Sequence, residues 1–242
     1  MRSSVRVLAA LLPAVFGFAG CGESHSSSGT PDASGSASVW LGKTYLLDNP
    51  NFAAANWTMP AGFGADIGAY VPQFLIGVAA GSGSDLTITI ATASGGAQDL
   101  CNVTTQVSAS GASYPDIKIT LPTFPMRIVD SNPAHAKVVQ TTGHDVILTN
   151  VLPGDKPAMD GQLDATMDIS ELYPLFYQIP NPTPATVCST FKSLGGIDCE
   201  TCSFDPNQQP YCLTLQAVQI GATLASTQIT PVSAGNIGAS CP

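Results

Sequence analysis

Four cysteines near the end of the chain are the residues whose spacing most clearly could support chemistry: Cys188, Cys199, Cys202 and Cys212. Zinc sites made of thiolates usually use two Cys-x-x-Cys pairs, and only Cys199 and Cys202 have that spacing. A redox-active pair needs a thiol with a lowered pKa, whereas Asp198 and Glu200 place negative charge beside this pair. The spacing therefore favours structural disulfides, and we predict no metal ligands.

Disulfides also fit the overall cysteine count. The chain has seven cysteines. If Cys21, close to the start of the chain, is left unpaired, six remain, enough for three bridges in an oxidising compartment. Six cysteines allow 15 connectivities. In the pairing we favour, Cys188–Cys199 joins a helix to the segment that follows it, and Cys202–Cys212 closes a proline-rich loop. The third bridge, Cys101–Cys241, ties the C-terminal end to the sheet.

Residues for acid–base or nucleophilic catalysis are sparse. No Gly-x-Ser-x-Gly elbow occurs, and His144 and Asp145 are neighbours whose side chains would point to opposite faces of a strand. Four aspartates at spacings of five, four and four residues are read as solvated carboxylates: Asp155, Asp160, Asp164 and Asp168. The sequence therefore predicts no catalytic residues and no cofactor, and Asn102-Val103-Thr104 is a glycosylation sequon without an expected use.

The first residues of the chain predict where the protein is located. Arg2 and Arg6 precede an apolar run over residues 7–18, which is too short to span a membrane, and Phe18-Ala19-Gly20-Cys21 follows. These four residues resemble the lipobox of bacterial lipoprotein precursors. The resemblance implies that Cys21 carries the lipid, becomes the mature N-terminus and anchors the protein to a membrane of the cell envelope. The resemblance also favours the outer membrane, because Gly22 follows the cysteine where an aspartate would indicate retention in the inner membrane.

The composition indicates how the mature protein is organised. Residues 1–20 read as the signal peptide, and residues 21–38 as the lipidated cysteine with a flexible Ser/Gly-rich tether. Removing Arg2 and Arg6 leaves six basic against 17 acidic residues, a net charge of −11. Such a charge repels nucleic acid, so we expect no nucleic-acid partner.

Residues 39–242 consist of short apolar or alternating runs separated by Gly, Pro, Asn and Asp, a pattern typical of a single β-rich domain. Three segments alternate apolar and polar residues with a period of two, as half-buried antiparallel strands do: 85–92, 116–121 and 162–169. Further strands are expected over residues 39–47, 70–79, 124–129, 138–141, 146–152 and 211–220. Segment 70–79 is apolar on both faces, so it is either a central strand of a covered sheet or the wall of a cavity.

Two short helices interrupt this pattern. Ser170 is the expected N-cap of a helix over residues 171–178, and Thr183 that of a second helix, with Pro184 at its first position and Gly196 at its end. The predicted fold is mainly β, an antiparallel sandwich or flattened barrel. Its helices lie in a disulfide-stapled C-terminal appendage, with the cysteine-rich part at residues 180–212.

Three functions remain open at this point. The first is a non-enzymatic module that binds an envelope protein or supports envelope structure. The second is a carrier of a lipid or other hydrophobic ligand, and the third is a hydrolase that uses unidentified carboxylates. Residues 39–242 also resemble cysteine-containing bacterial lipoproteins, for example at Gly42-Lys43-Thr44-Tyr45 and Pro210-Tyr211-Cys212, but this resemblance implies no activity.

Overall fold

The computed structural model describes residues 37–48, 56–57, 70–82, 85–129, 138–154, 158, 160–238 and 241, with residues 56–57 as backbone only. These residues belong to one compact unit, Ser34–Pro242. The predicted signal peptide, Cys21 and the tether up to residue 36 lie outside the described residues. So do His135 and Asp155.

Eleven strands run through the described part of the chain, and the ladders between them are antiparallel. They are β1 (Thr44–Leu47), β2 (Asn56–Trp57), β3 (Gln73–Ala80), β4 (Leu86–Ser94), β5 (Ala97–Gln98), β6 (Thr105–Ala109), β7 (Lys118–Val129), β8 (Val138–Thr149), β9 (Gly161–Asp168), β10 (Cys212–Ile220) and β11 (Thr223–Leu224). The first sheet has the order β11-β1-β3-β4-β5, with β6 also paired to β4. The second sheet has the order β2-β10-β9-β8-β7.

The two sheets share one hydrophobic core, which confirms the predicted sandwich class. Strand β9 shows how the sequence produces it: Leu163, Ala165 and Met167 are buried, while the residues between them are partly exposed. The aromatic rings of Phe74 in the first sheet and Phe124 in the second meet edge to face, with centroids 5.4 Å apart. Alternation on facing strands therefore builds the core, as expected for packed antiparallel sheets.

The first sheet is covered on its outer face as well. Leu75, Ala91 and Ala93 point away from the main core, yet they are at most 6% exposed because Ala225 and Ile229 pack over them. We call residues 225–238 the C-terminal strap. Segment 70–79 was expected to be either a central strand or a cavity wall, and its strand, β3, is indeed central in a sheet that is covered on both faces.

The C-terminal strap is held at two points along its length and at its end. The side-chain amide of Gln98 accepts a hydrogen bond from the backbone N–H of Thr230 and donates one to its carbonyl, both at 2.7 Å. Thr104 and Val232 are joined in a similar way. Beyond the strap, Cys241 is bonded to Cys101, 140 residues earlier in the sequence.

Two helices connect β9 to β10. Helix α1 (Ile169–Leu172) continues into a 3₁₀ turn, Tyr173–Leu175, and helix α2 spans Pro184–Gly195. Thr183 forms the predicted N-cap of α2, in a reciprocal capping box with Thr186, and Gly196 ends the helix at φ +66°. The expected N-cap of α1 was wrong. Asp168 caps it, because its carboxylate accepts from the backbone N–H of Ser170 and so satisfies a free donor of the first turn.

Two long strands replace four predicted short ones. Strand β7 joins segments 116–121 and 124–129 and contains Pro122 and Pro125. Both prolines are tolerated because β7 lies at the edge of its sheet. Strand β8 joins segments 138–141 and 146–152 through an irregularity between His144 and Ile147, where Asp145 has φ +50°. Strand β1 begins only at Thr44, because Ala37–Val39 forms a 3₁₀ turn.

Release of the strap should weaken the fold more than release of a local bridge. On the chain-entropy model, a double Cys101→Ser, Cys241→Ser variant loses about 5 kcal/mol of unfolding free energy, because its bridge closes a loop of 140 residues. The matched variant Cys188→Ser, Cys199→Ser opens a separation of 11 residues and should lose about 3 kcal/mol. Urea unfolding measures both losses, and an equal or reversed order contradicts the role given to the strap.

Tyr45 offers a test of the core and of its pH dependence. Its side chain is 2% exposed, its hydroxyl finds no hydrogen-bond partner among the described residues, and burial raises its pKa above the ordinary 10.0. Since an unpaired buried hydroxyl is costly, Tyr45→Phe should raise the unfolding free energy at pH 7 by about 1 kcal/mol.

The pH dependence follows from the direction of that pKa shift. Above about pH 10 the unfolded chain ionises Tyr45 while the folded chain keeps it protonated, so stability falls as the pH rises further. Tyr45→Phe should therefore lose less stability than wild type between pH 9 and pH 11 in urea unfolding. Tyr211→Phe, at a partly exposed position, is the matched control. A Tyr45→Phe variant that is less stable at pH 7 would contradict the prediction.

Candidate functional site

The most distinctive concavity of the domain is an apolar cavity of about 70 Å³ against the inner face of the second sheet. Strands β7 to β10 supply one wall, made of alternate inward-facing residues that include Phe124, Met126, Leu163, Ala165, Met167 and Leu215. All of these side chains are buried and carry no charge. The wall is therefore a direct product of the two-residue period in these strands.

The opposite wall comes from the helices and from the approach to β3. Helix α1, the 3₁₀ turn after it and Phe176, which we call the cap, contribute Ile169, Leu172, Leu175 and Phe176. Residues 70–72 and Phe74 complete the lining. Segment 70–79 thus has both features that its two-sided apolar sequence predicted, since its first part lines a cavity and the rest is a central strand.

Polar contacts outside the cavity hold the cap against the second sheet. The carboxylate of Glu171 in α1 accepts hydrogen bonds from the hydroxyl of Thr141 and from the backbone N–H of Thr142 in β8, both at 2.8 Å. Asp168 caps α1 at the end of β9 and also accepts from the hydroxyl of Ser170. These carboxylates are structural acceptors, so the cavity does not depend on apolar contacts alone to keep its shape.

Aromatic contacts and disulfides continue this support on the helical side. Phe176 has its ring 6.3 Å from that of Tyr70 and 5.3 Å from that of Phe191 in α2. The bridge Cys188–Cys199 ties α2 to the segment that follows it, and Cys202–Cys212 ties that segment to β10. All three preferred disulfides are therefore confirmed, and two of them lie next to the helices that border the cavity.

A second, larger concavity of about 650 Å³, the outer cleft, adjoins the cavity. The two share the wall residues Tyr70, Val71, Pro72 and Ile128. In contrast to the cavity, the outer cleft includes the charged residues Asp99 and Arg127, whose side chains are 14% and 12% exposed. An apolar compartment thus lies beside a polar one, with a common boundary.

Arg127 was not singled out from the sequence. Its Nη1 lies 3.4 Å from Oδ2 of Asp99, whose other carboxylate oxygen accepts from the backbone N–H of Cys101 at 2.9 Å. The available signal was its position in the apolar segment Phe124-Pro125-Met126-Arg127-Ile128-Val129 and the absence of any other arginine after residue 6. A charged residue in such a segment is either on an exposed face or in a polar site.

The polar residues that the sequence did single out are separated in the structure. The ring of His144 is stacked on that of Phe204, with centroids 3.3 Å apart, and Asp145 is exposed. Asp164 accepts from the side-chain amides of Gln162 and Gln216, and Asp160 is exposed. None of these side chains lines the apolar cavity, so the structure gives them no shared site there.

The buried side chain of Asn102 explains why its sequon has no structural use as a modification site. Asn102 is 5% exposed, and its amide donates to the hydroxyl of Thr92 and to the carbonyl of Pro125. It thereby joins β4 of the first sheet to β7 of the second. A glycan on this amide would need both hydrogen bonds to break and the side chain to leave the interior.

The described residues offer neither a metal-binding cluster nor a membrane-spanning helix. Within residues 37–241, where the structure describes them, no three His, Cys, Asp or Glu side chains are grouped so that they could hold a metal ion. Over the same residues, no helix has the length and apolar character needed to cross a bilayer.

Comparisons with known proteins add no relative. No protein-family model matches the chain, no curated protein matches it, and no solved structure matches it.

Filling the cavity should stabilise the protein. In ligand-free protein, Ala165→Val adds two methyl groups to the apolar cavity and should raise the unfolding free energy by about 1 kcal/mol. Ala217→Val is the matched control, since Ala217 is fully buried on neighbouring β10 but does not line the cavity. Overpacking there should cost about 1–3 kcal/mol. Urea unfolding measures both, and equal destabilisation by the two variants would contradict a cavity beside Ala165.

Proposed function

We propose that this protein is a lipid-anchored lipoprotein of the bacterial cell envelope whose β-rich domain is a non-enzymatic binding module. Cys21 is its anchor in this proposal, residues 22–36 are the tether, since Ala37 and Ser38 of the predicted tether belong to a 3₁₀ turn, and the outer membrane is the favoured location. Three disulfides support the proposal, because structural disulfides persist in oxidising compartments outside the cytoplasm. A single acyl chain binds membranes only marginally, so the diacylglyceryl group of this class of lipoproteins fits stable anchoring.

The observation that carries the binding role is the apolar cavity. Its lining offers hydrocarbon and aromatic surface, and among the described residues that line it there is neither a carboxylate nor an imidazole. Such a lining favours a hydrophobic ligand, because burying apolar surface gains free energy without any polar partner. The carrier form of the proposal is therefore favoured over a purely structural module and over a hydrolase that uses Asp160, Asp164 or Asp168.

The fold also supports a stable cavity of this kind. Its sheet wall belongs to strands with extensive ladders, and its cap is attached to β8 through Glu171 and to α2 through Phe176. Because each wall has contacts of its own, the walls do not need to collapse onto one another to be stable. An empty or exchangeable interior is compatible with the rest of the domain.

The anchoring proposal predicts the effect of replacing one residue. Cys21→Ser removes the thiol that would carry lipid, so the protein should move from the membrane fraction to the soluble fraction, and its intact mass should lack the lipid increment. Ser26→Ala, in the same tether, is the matched control and should leave both properties unchanged. Continued membrane fractionation of Cys21→Ser together with an unmodified wild-type mass would contradict the proposal.

The carrier form predicts a bound hydrophobic molecule in native material. Solvent extracts of purified protein, analysed by mass spectrometry, should contain such a molecule at a stoichiometry close to one per chain. Ala165→Val should lower the amount, because it reduces the space for hydrocarbon, whereas Ala217→Val should not. An extract without any such molecule would favour the envelope-protein or structural module instead.

A further inference from the structure

Arg127 is a charged residue whose side chain is largely buried on a strand of the second sheet. It is the only arginine in residues 21–242, and 88% of its side chain is buried on β7. Burial of a guanidinium removes its hydration, and this cost is recovered only when its donors are well paired. The contacts of Arg127 therefore indicate whether the structure already satisfies it.

Its pairing within the described residues is incomplete. A guanidinium has five N–H donors. The contact with Asp99 uses one of them, on Nη1, at a distance of 3.4 Å from the carboxylate oxygen. Nε is buried and has no hydrogen-bond partner among the described residues. Asp99 itself is shared with the backbone of Cys101. Because Nε is buried, a ligand in the cleft cannot reach it, but among the described residues the two Nη groups retain N–H donors that Asp99 does not use, and guanidinium groups bind oxyanions through such donors.

The location of Arg127 gives the rest of the ligand. Arg127 lines the outer cleft, while the next residue, Ile128, lines both the cleft and the apolar cavity. The side chains of Arg127 and Ile128 point to opposite faces of β7, so an anion at Arg127 would lie in the outer cleft, and its chain would reach the cavity along the residues that line both: Tyr70, Val71, Pro72 and Ile128. A molecule with one charged end and one apolar end matches this arrangement.

We propose that the cavity and the outer cleft together bind a single-chain anionic amphiphile, with its carboxylate or phosphate head at Arg127 and the end of its alkyl chain in the apolar cavity. The inference rests on the proposed binding function and specifies its ligand class. The cavity has about half the volume of a 150 Å³ apolar cavity that takes benzene, so it holds the last few carbons of a chain. The remaining carbons lie along Tyr70, Val71 and Pro72, which line both compartments.

Three probes with the same chain and different heads test the assignment: octanoate, octyl phosphate and 1-octanol. They are titrated calorimetrically into the full chain carrying Cys21→Ser, purified without detergent. At least one of the anionic probes should bind about tenfold more tightly than 1-octanol, as expected for one charged hydrogen-bonded contact. The tighter of the two anions identifies the head. Equal affinity for all three probes would overturn the role of Arg127.

Arg127→Gln should remove the preference for the anion and leave the affinity for 1-octanol unchanged. Lys118→Gln is the matched control, since it removes one positive charge from an exposed position on the same strand and should preserve the preference. If Arg127→Gln does not fold, the double variant Asp99→Asn, Arg127→Gln removes both charges of the pair and should show the same loss. A retained preference in either variant overturns the head-group assignment.

The proposed function and the head-group assignment fail in different ways. Ala165→Val narrows the cavity and should weaken all three probes, 1-octanol included, whereas Arg127→Gln affects only the anions. Binding of 1-octanol that is unaffected by Ala165→Val would place the alkyl chain elsewhere and count against the cavity. If no probe binds to the parent protein, both the ligand class and the carrier form are wrong.

Discussion

The structure depends on the covering of a sheet that is apolar on both faces. Strands β3 and β4 supply Ile76 and Ile88 to the core between the sheets, and they also present Leu75 and Ala91 on the opposite face. That outer face would meet water if the chain ended at β11. The C-terminal strap covers it, and the bond between Cys101 and Cys241 prevents its departure. The last part of the chain is thus a third layer of the domain.

The second sheet borders a cavity on its inner face. The cavity forms where the second sheet, the cap and residues 70–72 meet, and each of these has support outside the cavity. Glu171 holds the cap to β8, and Phe176 packs between Tyr70 and Phe191. The aromatic contacts are made by Phe176 and Tyr70, which themselves line the cavity, whereas the polar contacts of Glu171 lie outside it. The cap is therefore held to β8 without a polar group in the lining that the structure describes.

Local patterns predicted much of this fold, and non-local contacts account for what they missed. Alternation gave the inward residues of β9 correctly, because half-buried strands impose a period of two. Strands β7 and β8 were each predicted as two short strands, since a local pattern does not reveal that a strand lies at an edge or contains a bulge. Arg127 was missed for a related reason. Its burial is produced by Asp99 and a cleft wall that come from distant parts of the sequence.

Pro125 in β7 also affects how copies of the molecule meet one another. An outer strand with unpaired N–H and C=O groups is a template for sheet-to-sheet aggregation. At Pro125 the nitrogen has no hydrogen to offer, and the carbonyl is already occupied by the amide of Asn102. An incoming strand from another copy finds neither a donor nor a free acceptor at this point. Close contact between many copies is therefore less able to drive polymerisation through this strand.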